Sequence, residues 1–352
     1  MKRVLFLIPN SSGGAEKVSV NYARILAERG FAVSVVLIKT PTDSVNLREY
    51  ITDKSITVTD YQWRGVARSG FGLVRYIVRS RCHYAFSSLT TFSILAVIAS
   101  IFARGMRVVA RQCFTPGTES RAMELCLGLF LRFAYLNIAQ TEQMREQMIT
   151  AYGFKPQRVV TIYNPLNKGD ILRKIEALKP STEQGYNYVA IGRLSPDKDY
   201  MTLLRAFDIV HTARPEARLT IIGNNYNDSY FDSLVEYIAA HGLGDSVEFV
   251  GYTTNPYSYM VASDTLVLSS VREGLPNVLL EAMFLNVPIV ATESIPFISQ
   301  YVVNGSNGYR CKVGDFEALA KGMLLAPQLK GAVVNGDISG DVEEQIVDIF
   351  SL

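Results

Sequence analysis

The stretch from Ser269 to Glu293 does most to limit what this chain can become. It opens at the end of an apolar run, Asp264 to Ser270, that reads as a buried strand. A polar loop follows from Val271 to Leu275. Pro276 suits a first helical position, and Val278 to Leu285 is apolar enough to cover a sheet. Val287 to Ala291 returns as a strand. A strand, a glycine-bearing loop, a helix and a second strand make a βαβ unit, the building block of a parallel sheet. The helix start places free N–H groups and a positive dipole end around Gly274, Leu275, Pro276, Asn277 and Val278, a place to hold phosphate.

Two carboxylates bracket that anion site, Glu273 in the loop and Glu281 more than a turn into the helix. Taken singly, each is compatible with a solvated surface glutamate. The whole string Glu-Gly-Leu-Pro-Asn-Val-Leu-Leu-Glu is far more specific. It resembles the Glu-x7-Glu signature of glycosyltransferase family 4, the retaining enzymes of GT-B fold.

The first half of the chain is consistent with that resemblance. Val4 to Ile8 reads as a buried strand, too short and too soon interrupted by Pro9 to serve as a signal sequence. A loop with Gly13 and Gly14 follows, then a helix from Ala15 to Arg29 and a strand from Phe31 to Ile38. The spacing is not Gly-x-Gly-x-x-Gly, so the dinucleotide fingerprint is absent. In family 4 the matching Gly-Gly-Ala-Glu loop, here Gly13 to Glu16, approaches the donor. Residues 40–72 read as irregular, with a strand at Ile56 to Thr59, and Leu73 to Arg81 as a helix. Strands are expected at Tyr84 to Ser88, Val108 to Arg111 and Leu136 to Gln140, and helices at Thr90 to Ala103, Glu119 to Leu136 and Thr141 to Tyr152. The apolar segments Leu89–Ala103 and Leu125–Tyr135 fit core helices. They are also compatible with a bilayer-docking surface in which Arg75, Arg79, Arg81, Arg121 and Arg132 meet headgroups. The fifteen residues of Leu89–Ala103 fall short of the ~18 expected of a membrane span. Arg111, at a strand end, is the acceptor-side candidate; His83, the one histidine of this half, precedes a strand.

The polar run from Asn167 to Tyr186, with a short helix near Ile171, marks a domain boundary, and the Ile-Tyr-Asn-Pro turn before it also matches family 4. Beyond it, Tyr188 to Gly192 is a strand, Arg193 to Lys198 a loop and Tyr200 to Thr212 a helix. Arg193 and Lys198 therefore stand where open α/β sheets bind ligands, although two exposed basic residues are common in any loop. The pattern Gly-Arg-Leu-x-x-x-Lys again resembles family 4, in which the pair neutralises the donor diphosphate. The usual glycine after the lysine is Asp199 here. Asp197-Lys-Asp199 has the form Asp-x-Asp but reads as a solvated turn in this βα setting. Loops at 223–225 and 251–253 are expected to flank the nucleotide base, with Asn224 and Tyr252 as neighbours. Family members commonly carry a glutamate near the position of Gln300.

Size and charge set further bounds. The 352 residues suit about two domains. Cys82, Cys113, Cys126 and Cys311 show neither metal-type nor disulfide-framework spacing, which fits a reducing cytoplasm. Residues 1–170 carry 22 Lys+Arg and 11 Asp+Glu, whereas residues 171–352 carry 13 and 22. That asymmetry is compatible with two domains attracting each other, or with a first domain that faces an anionic membrane or phosphorylated lipid. No nucleic-acid motif is present.

The resemblance implies an α/β protein of GT-B fold: two Rossmann-like, doubly wound parallel-sheet domains facing across a cleft. The first, acceptor-side, is expected at 1–166 and the nucleotide-sugar domain at 167–340. A terminal helix at 341–352 would cross back to the first in GT-B fashion, abbreviated by the short tail. It implies a retaining transferase that takes a hexose or N-acetylhexosamine from a nucleoside diphosphate sugar, a UDP-sugar before GDP-mannose, to a lipid-linked oligosaccharide at the inner membrane surface. Arg193, Lys198 and Glu273 would act at the reacting centre and Glu281 would hold ribose, with no metal or other cofactor. A nucleotide-sugar epimerase of the same fold is the alternative enzyme; a silent nucleotide-binding partner of a polysaccharide-assembly complex is the non-enzyme alternative.

Overall fold

The computed structural model describes residues 1–11, 13–40, 47–113, 121–176, 185–225, 228–333 and 340–351. The chain divides after Leu166 into two compact units, and the C-terminal helix counts with the first.

The first unit alternates strand and helix: β1 (Arg3–Pro9), α1 (Gly14–Glu28), β2 (Ala32–Lys39), β3 (Thr57–Gln62), α2 (Val66–Ser80), β4 (Tyr84–Ser87), α3 (Thr90–Phe102), β5 (Arg107–Arg111), α4 (Arg121–Phe130), β6 (Leu136–Ala139), α5 (Glu142–Tyr152) and β7 (Val159–Thr161). The strands form one sheet in the order β3-β2-β1-β4-β5-β6-β7, all neighbours parallel. Such a sheet must be covered on both faces, which is why β1 and β4 are buried along nearly their whole length. The direction of winding reverses between β1 and β4, so their carboxyl ends frame a crevice.

The second unit contains α6 (Lys168–Glu176), β8 (Asn187–Ile191), α7 (Tyr200–Ala213), β9 (Arg218–Ile222), α8 (Asp228–Ala240), β10 (Val247–Gly251), α9 (Tyr257–Ala262), β11 (Thr265–Leu268), α10 (Asn277–Phe284), β12 (Ile289–Thr292), α11 (Pro296–Tyr301), β13 (Gly308–Cys311) and α12 (Phe316–Leu325). Its parallel sheet runs β10-β9-β8-β11-β12-β13, with the reversal between β8 and β11. Leu203 and Phe207 from α7, Leu234 from α8 and Leu319 and Met323 from α12 cover one face of it. The last helix, α13 (Val342–Ser351), packs Ile346, Ile349 and Phe350 into the core under α1 in the first unit.

Three elements differ from expectation. α2 begins at Val66, seven residues before the expected start at Leu73. Its early turns look irregular because they carry Gly70 and Gly72, but at Gly72 the glycine serves packing. A Cβ on Gly72 would lie 2.6 Å from the Tyr61 hydroxyl, which itself donates to Ser69 O at 2.8 Å. The helix expected over Glu119–Leu136 ends at Phe130 and gives way to a 3-10 turn at Leu131–Phe133; residues 114–120 lie outside the described residues. A 3-10 turn at Leu47–Tyr50, tied by Leu47 N to Asn10 Oδ1 at 2.9 Å, had no signature in the sequence.

Candidate functional site

The loops leaving β8 and β11 are stitched together. Val271 N donates to Asp197 O at 2.9 Å, and Ser269 Oγ to Lys198 O at 2.8 Å. Lys198 Nζ forms an ion pair with Glu273 Oε1, which also accepts from Ser270 Oγ at 2.7 Å. The two charged side chains are only 19 % and 11 % exposed, so water screens the pair little. Gly192 leaves room for the lysine stem: a Cβ there would sit 3.2 Å from Lys198 Cε. Thr292 Oγ1, at the end of β12, donates to Ser270 O at 2.6 Å and fixes the loop from below.

Neighbouring strand ends continue the pattern. Leu194 N donates to Asn224 O and Gly223 N to Gly251 O, each at 2.9 Å, which joins the ends of β8, β9 and β10 in series. Gly223 is obligatory here, because a Cβ would lie 1.7 Å from Gly192 O. Asn224 and Tyr252 are half-buried in this row. Arg193, in contrast, is exposed and has neither hydrogen bond nor ion pair from its side chain among the described residues. Tyr200 Oη donates to Gly192 O at 3.0 Å; burial and the nearby Glu273 charge push its phenol up, so it stays a donor.

Asp199 explains a departure from the family pattern. It has φ +48°, a left-handed conformation in which glycine is at ease and aspartate is among the better-tolerated alternatives. Its carboxylate also caps α7, accepting from Thr202 N at 3.2 Å. Asp197 pairs with Arg272 at 2.6 Å in solvent, as a turn aspartate would. Among the described residues no three His, Cys, Asp or Glu side chains gather as a metal-holding group.

α10 starts one residue later than expected, with Pro276 as its N-cap. Gly274 and Leu275 lead into it, and Leu279 N closes the first turn on Pro276 O at 3.1 Å. No side chain caps this end, so the N–H groups of Asn277 and Val278 point beyond the helix start. Glu281 is half-buried and accepts from Tyr257 Oη at 3.4 Å. Lys174 lies over the Tyr257 ring, 5.6 Å from its centre, and pairs with Asp170 at 2.8 Å. Ser270, Tyr257 and Thr292 escaped sequence reasoning, since nothing in residue type or local spacing sets them apart. Gln300 is exposed on α11. Glu293 pairs with Arg310 at 2.7 Å instead of joining the loop cluster.

In the first unit Gly13 is the N-cap of α1 and Gly14 its first residue. The carboxylate of Glu16 folds back over Gly13: a Cβ there would lie 2.2 Å from Glu16 Oε2, and Ser11 Oγ holds the other oxygen at 2.8 Å. Arg111, the acceptor-side candidate, is 1 % exposed. Its guanidinium donates to Asn164 Oδ1 and, at 3.1 Å, to Cys113 Sγ, and no carboxylate among the described residues pairs with it. Arg111 thus braces the strand ends from inside. Burial raises the Cys113 thiol and the Tyr22 phenol beside it, with the Arg111 charge opposing both shifts. His83 accepts Arg3 N through Nδ1 at 2.9 Å, a structural role at the other end of the sheet.

Residues 12–169 match the model described as Glycosyltransferase Family 4, and residues 173–329 the one described as Glycosyl transferases group 1. An uncharacterized glycosyltransferase of Haemophilus influenzae is 25 % identical over 331 residues, 92 % of this chain and 90 % of that protein. The Campylobacter jejuni N-acetylgalactosamine-N,N'-diacetylbacillosaminyl-diphospho-undecaprenol 4-alpha-N-acetylgalactosaminyltransferase is 25 % identical over 206 residues, 56 % of this chain and 54 % of that protein. Anabaena HepE, crystallised with UDP and glucose, superposes with a TM-score of 0.78 over 100 % of both chains at 20 % identity. The two sheets, the stitched β8 and β11 loops and the two family models agree, and the chain belongs to the family 4 glycosyltransferases of GT-B fold.

Proposed function

We propose that this enzyme moves a hexose or N-acetylhexosamine from a UDP-sugar to a lipid-linked oligosaccharide, with retention at the anomeric carbon, in the assembly of a cell-surface polysaccharide. The observation that carries the reading is the Lys198–Glu273–Ser270 cluster at the switch point of the second sheet, with exposed Arg193 on the same loop as Lys198. The UDP and glucose bound by HepE support the donor class, and the diphospho-undecaprenol acceptor in the name of the Campylobacter relative supports the acceptor class.

The hard step is departure of the diphosphate, which gathers negative charge as the bond from its oxygen to the sugar breaks. Lys198, Arg193 and the N–H groups opening α10 stabilise that charge, in place of a metal ion. Glu273 orients a donor-sugar hydroxyl, and Glu281 takes the ribose. The acceptor hydroxyl attacks on the face the diphosphate leaves, and the departing phosphate oxygen accepts its proton, so no side-chain nucleophile is needed. The acceptor lipid places the enzyme at the inner face of the cytoplasmic membrane.

The test is a donor panel. Purified protein meets UDP- and GDP-sugars with and without a membrane lipid extract, and both nucleoside diphosphate release and the fate of the sugar are recorded. Release from one UDP-sugar that rises with lipid supports the proposal. An isomerised sugar still joined to its nucleotide overturns it in favour of an epimerase.

A further inference from the structure

Between Asp60 and Glu119 the sequence holds eight arginines and no acidic residue. In the first unit this stretch supplies α2 and α3, and α4 follows it. The three helices lie on one side of the sheet, because Leu73 and Ile77 of α2, Phe92 and Leu95 of α3 and Leu127 of α4 share one core. α2 packs on α3, and α3 on α4.

Their outward residues are unlike an ordinary solvated face. On α2, Arg68, Phe71, Arg75 and Arg79 form an exposed stripe at helical spacing. α3 ends on exposed Ile101 and Phe102, followed by Arg104. α4 exposes Leu125 and Leu129, and Phe133 follows, flanked by Arg121 and Arg132. Phe71 is 79 % exposed, Ile101 73 % and Leu125 70 %, levels at which an aromatic or aliphatic side chain has gained almost nothing from folding. The guanidinium groups of Arg64, Arg68, Arg75, Arg79, Arg81 and Arg104 have neither hydrogen bond nor ion pair among the described residues. On the other side of the sheet the arginines of α1 are matched: Arg24 pairs with Glu28 and Glu343, and Arg29 with Glu344.

We infer that the α2–α3–α4 side of the first unit docks on an anionic lipid bilayer. Unpartnered guanidinium groups suit lipid phosphates, which they bind through paired N–H donors. The apolar side chains interleaved with them suit the boundary between headgroups and acyl chains. An acidic protein would satisfy the arginines but leave the scattered Phe71, Ile101, Phe102 and Phe133 in water. The attraction acts within a Debye length, so it requires the arginines to lie at the membrane surface and weakens with salt. This deepens the reading of a membrane-borne acceptor and is tested apart from it.

The full chain would be floated with vesicles of phosphatidylcholine alone, or mixed with phosphatidylglycerol. The expected result is binding to the mixed vesicles only. Arg68→Glu/Arg75→Glu/Arg79→Glu should lower the partition coefficient by about tenfold or more, whereas Lys54→Glu/Lys155→Glu/Lys321→Glu, equal in charge but elsewhere, should change it about twofold or less. Phe71→Ser with Leu125→Ser should weaken the binding that persists at high salt. Circular dichroism confirms that each variant is folded. Failure to float with anionic vesicles, an equal loss in the control variant, or capture by soluble polyglutamate in preference to vesicles would overturn the inference. If flotation fails but transfer to a detergent-dispersed lipid acceptor persists, the docking surface falls and the proposed function stands. If flotation holds but no donor is turned over, the surface stands alone.

Discussion

Lys198 Nζ and Glu273 Oε1 form an ion pair between the loop after β8 and the loop after β11, with Ser270 Oγ completing the carboxylate's shell. On the proposed function the pair holds a cation ready for the donor diphosphate, and removing the lysine takes away a charge needed most as the leaving group departs. Lys198→Ala should therefore lower turnover at saturating donor by about tenfold or more, at least ~1.4 kcal/mol. Nucleoside diphosphate release measures it, and unchanged turnover would remove Lys198 from the chemistry. Glu273→Gln keeps the shape and the Ser270 bond; a similar fall with an unchanged melting temperature would separate a chemical role from a structural one.

The same cations bear on metal dependence. If Lys198, Arg193 and the α10 amides supply the positive charge, a chelator should leave turnover within about twofold of its starting value. Abolition by chelator, with recovery on adding a divalent cation, would overturn the metal-free proposal.

How much of this was legible in the sequence depends on distance along the chain. The Glu273–Glu281 string is local, and so is the strand-loop-helix order that puts Arg193 and Lys198 at a strand end. The Lys198–Glu273 pair spans 75 residues and exists only because β8 and β11 are sheet neighbours, a fact of crossover topology that no spacing rule states. Arg111 stands at the end of β5, and arginine is mostly exposed in folded proteins. Its burial depends on Asn164 and Cys113, brought in by other segments. The start of α2 was hidden by Gly70 and Gly72; at Gly72 the reason for glycine is the approach of Tyr61 rather than a turn.

Glu281 tests the donor reading away from the reacting bond. It lies on α10 beside Tyr257 Oη at 3.4 Å, in the second unit with Asn224 and Tyr252. If it holds the ribose, Glu281→Ala should reduce kcat/KM by about tenfold or more, or ~1.4 kcal/mol. Tyr257→Phe removes the long hydrogen bond to Glu281 while keeping the ring, and should do much less. Equal effects of the two would mean that Glu281 matters by holding Tyr257, not the nucleotide.

Asp199 separates backbone strain from capping. Alanine at φ +48° loses the cap and is less at ease in a left-handed conformation, so Asp199→Ala should destabilise the second unit by about 1–3 kcal/mol. Glycine also loses the cap but removes the strain, and Asp199→Gly should change stability by less than about 1 kcal/mol. Chemical denaturation followed by circular dichroism reads both. Equal losses in the two variants would show that the left-handed conformation contributes nothing to the difference.

The C-terminal helix makes the last case, because its two kinds of contact differ in strength and in pH response. Phe350 is fully buried, with its ring centre 5.2 Å from that of Tyr84 and 6.3 Å from that of Phe86. Phe350→Ala leaves a cavity in the core shared by α1 and α13 and should cost about 3–5 kcal/mol. Glu344 meets Arg29 at 2.6 Å on the surface, where solvent and salt weaken the pair. The Arg29 guanidinium, first by hydrogen bond and then by charge, holds the Glu344 carboxyl below its usual range. A carboxyl lowered in the folded state stabilises the fold in full above its unfolded value, and that contribution disappears as pH falls through the folded value. Glu344→Gln should therefore melt slightly below the parent near neutral pH and together with it in acid. Phe350→Ala should melt lower at both. A Glu344→Gln deficit that persisted in acid would mean that the pair acts through packing and not through charge.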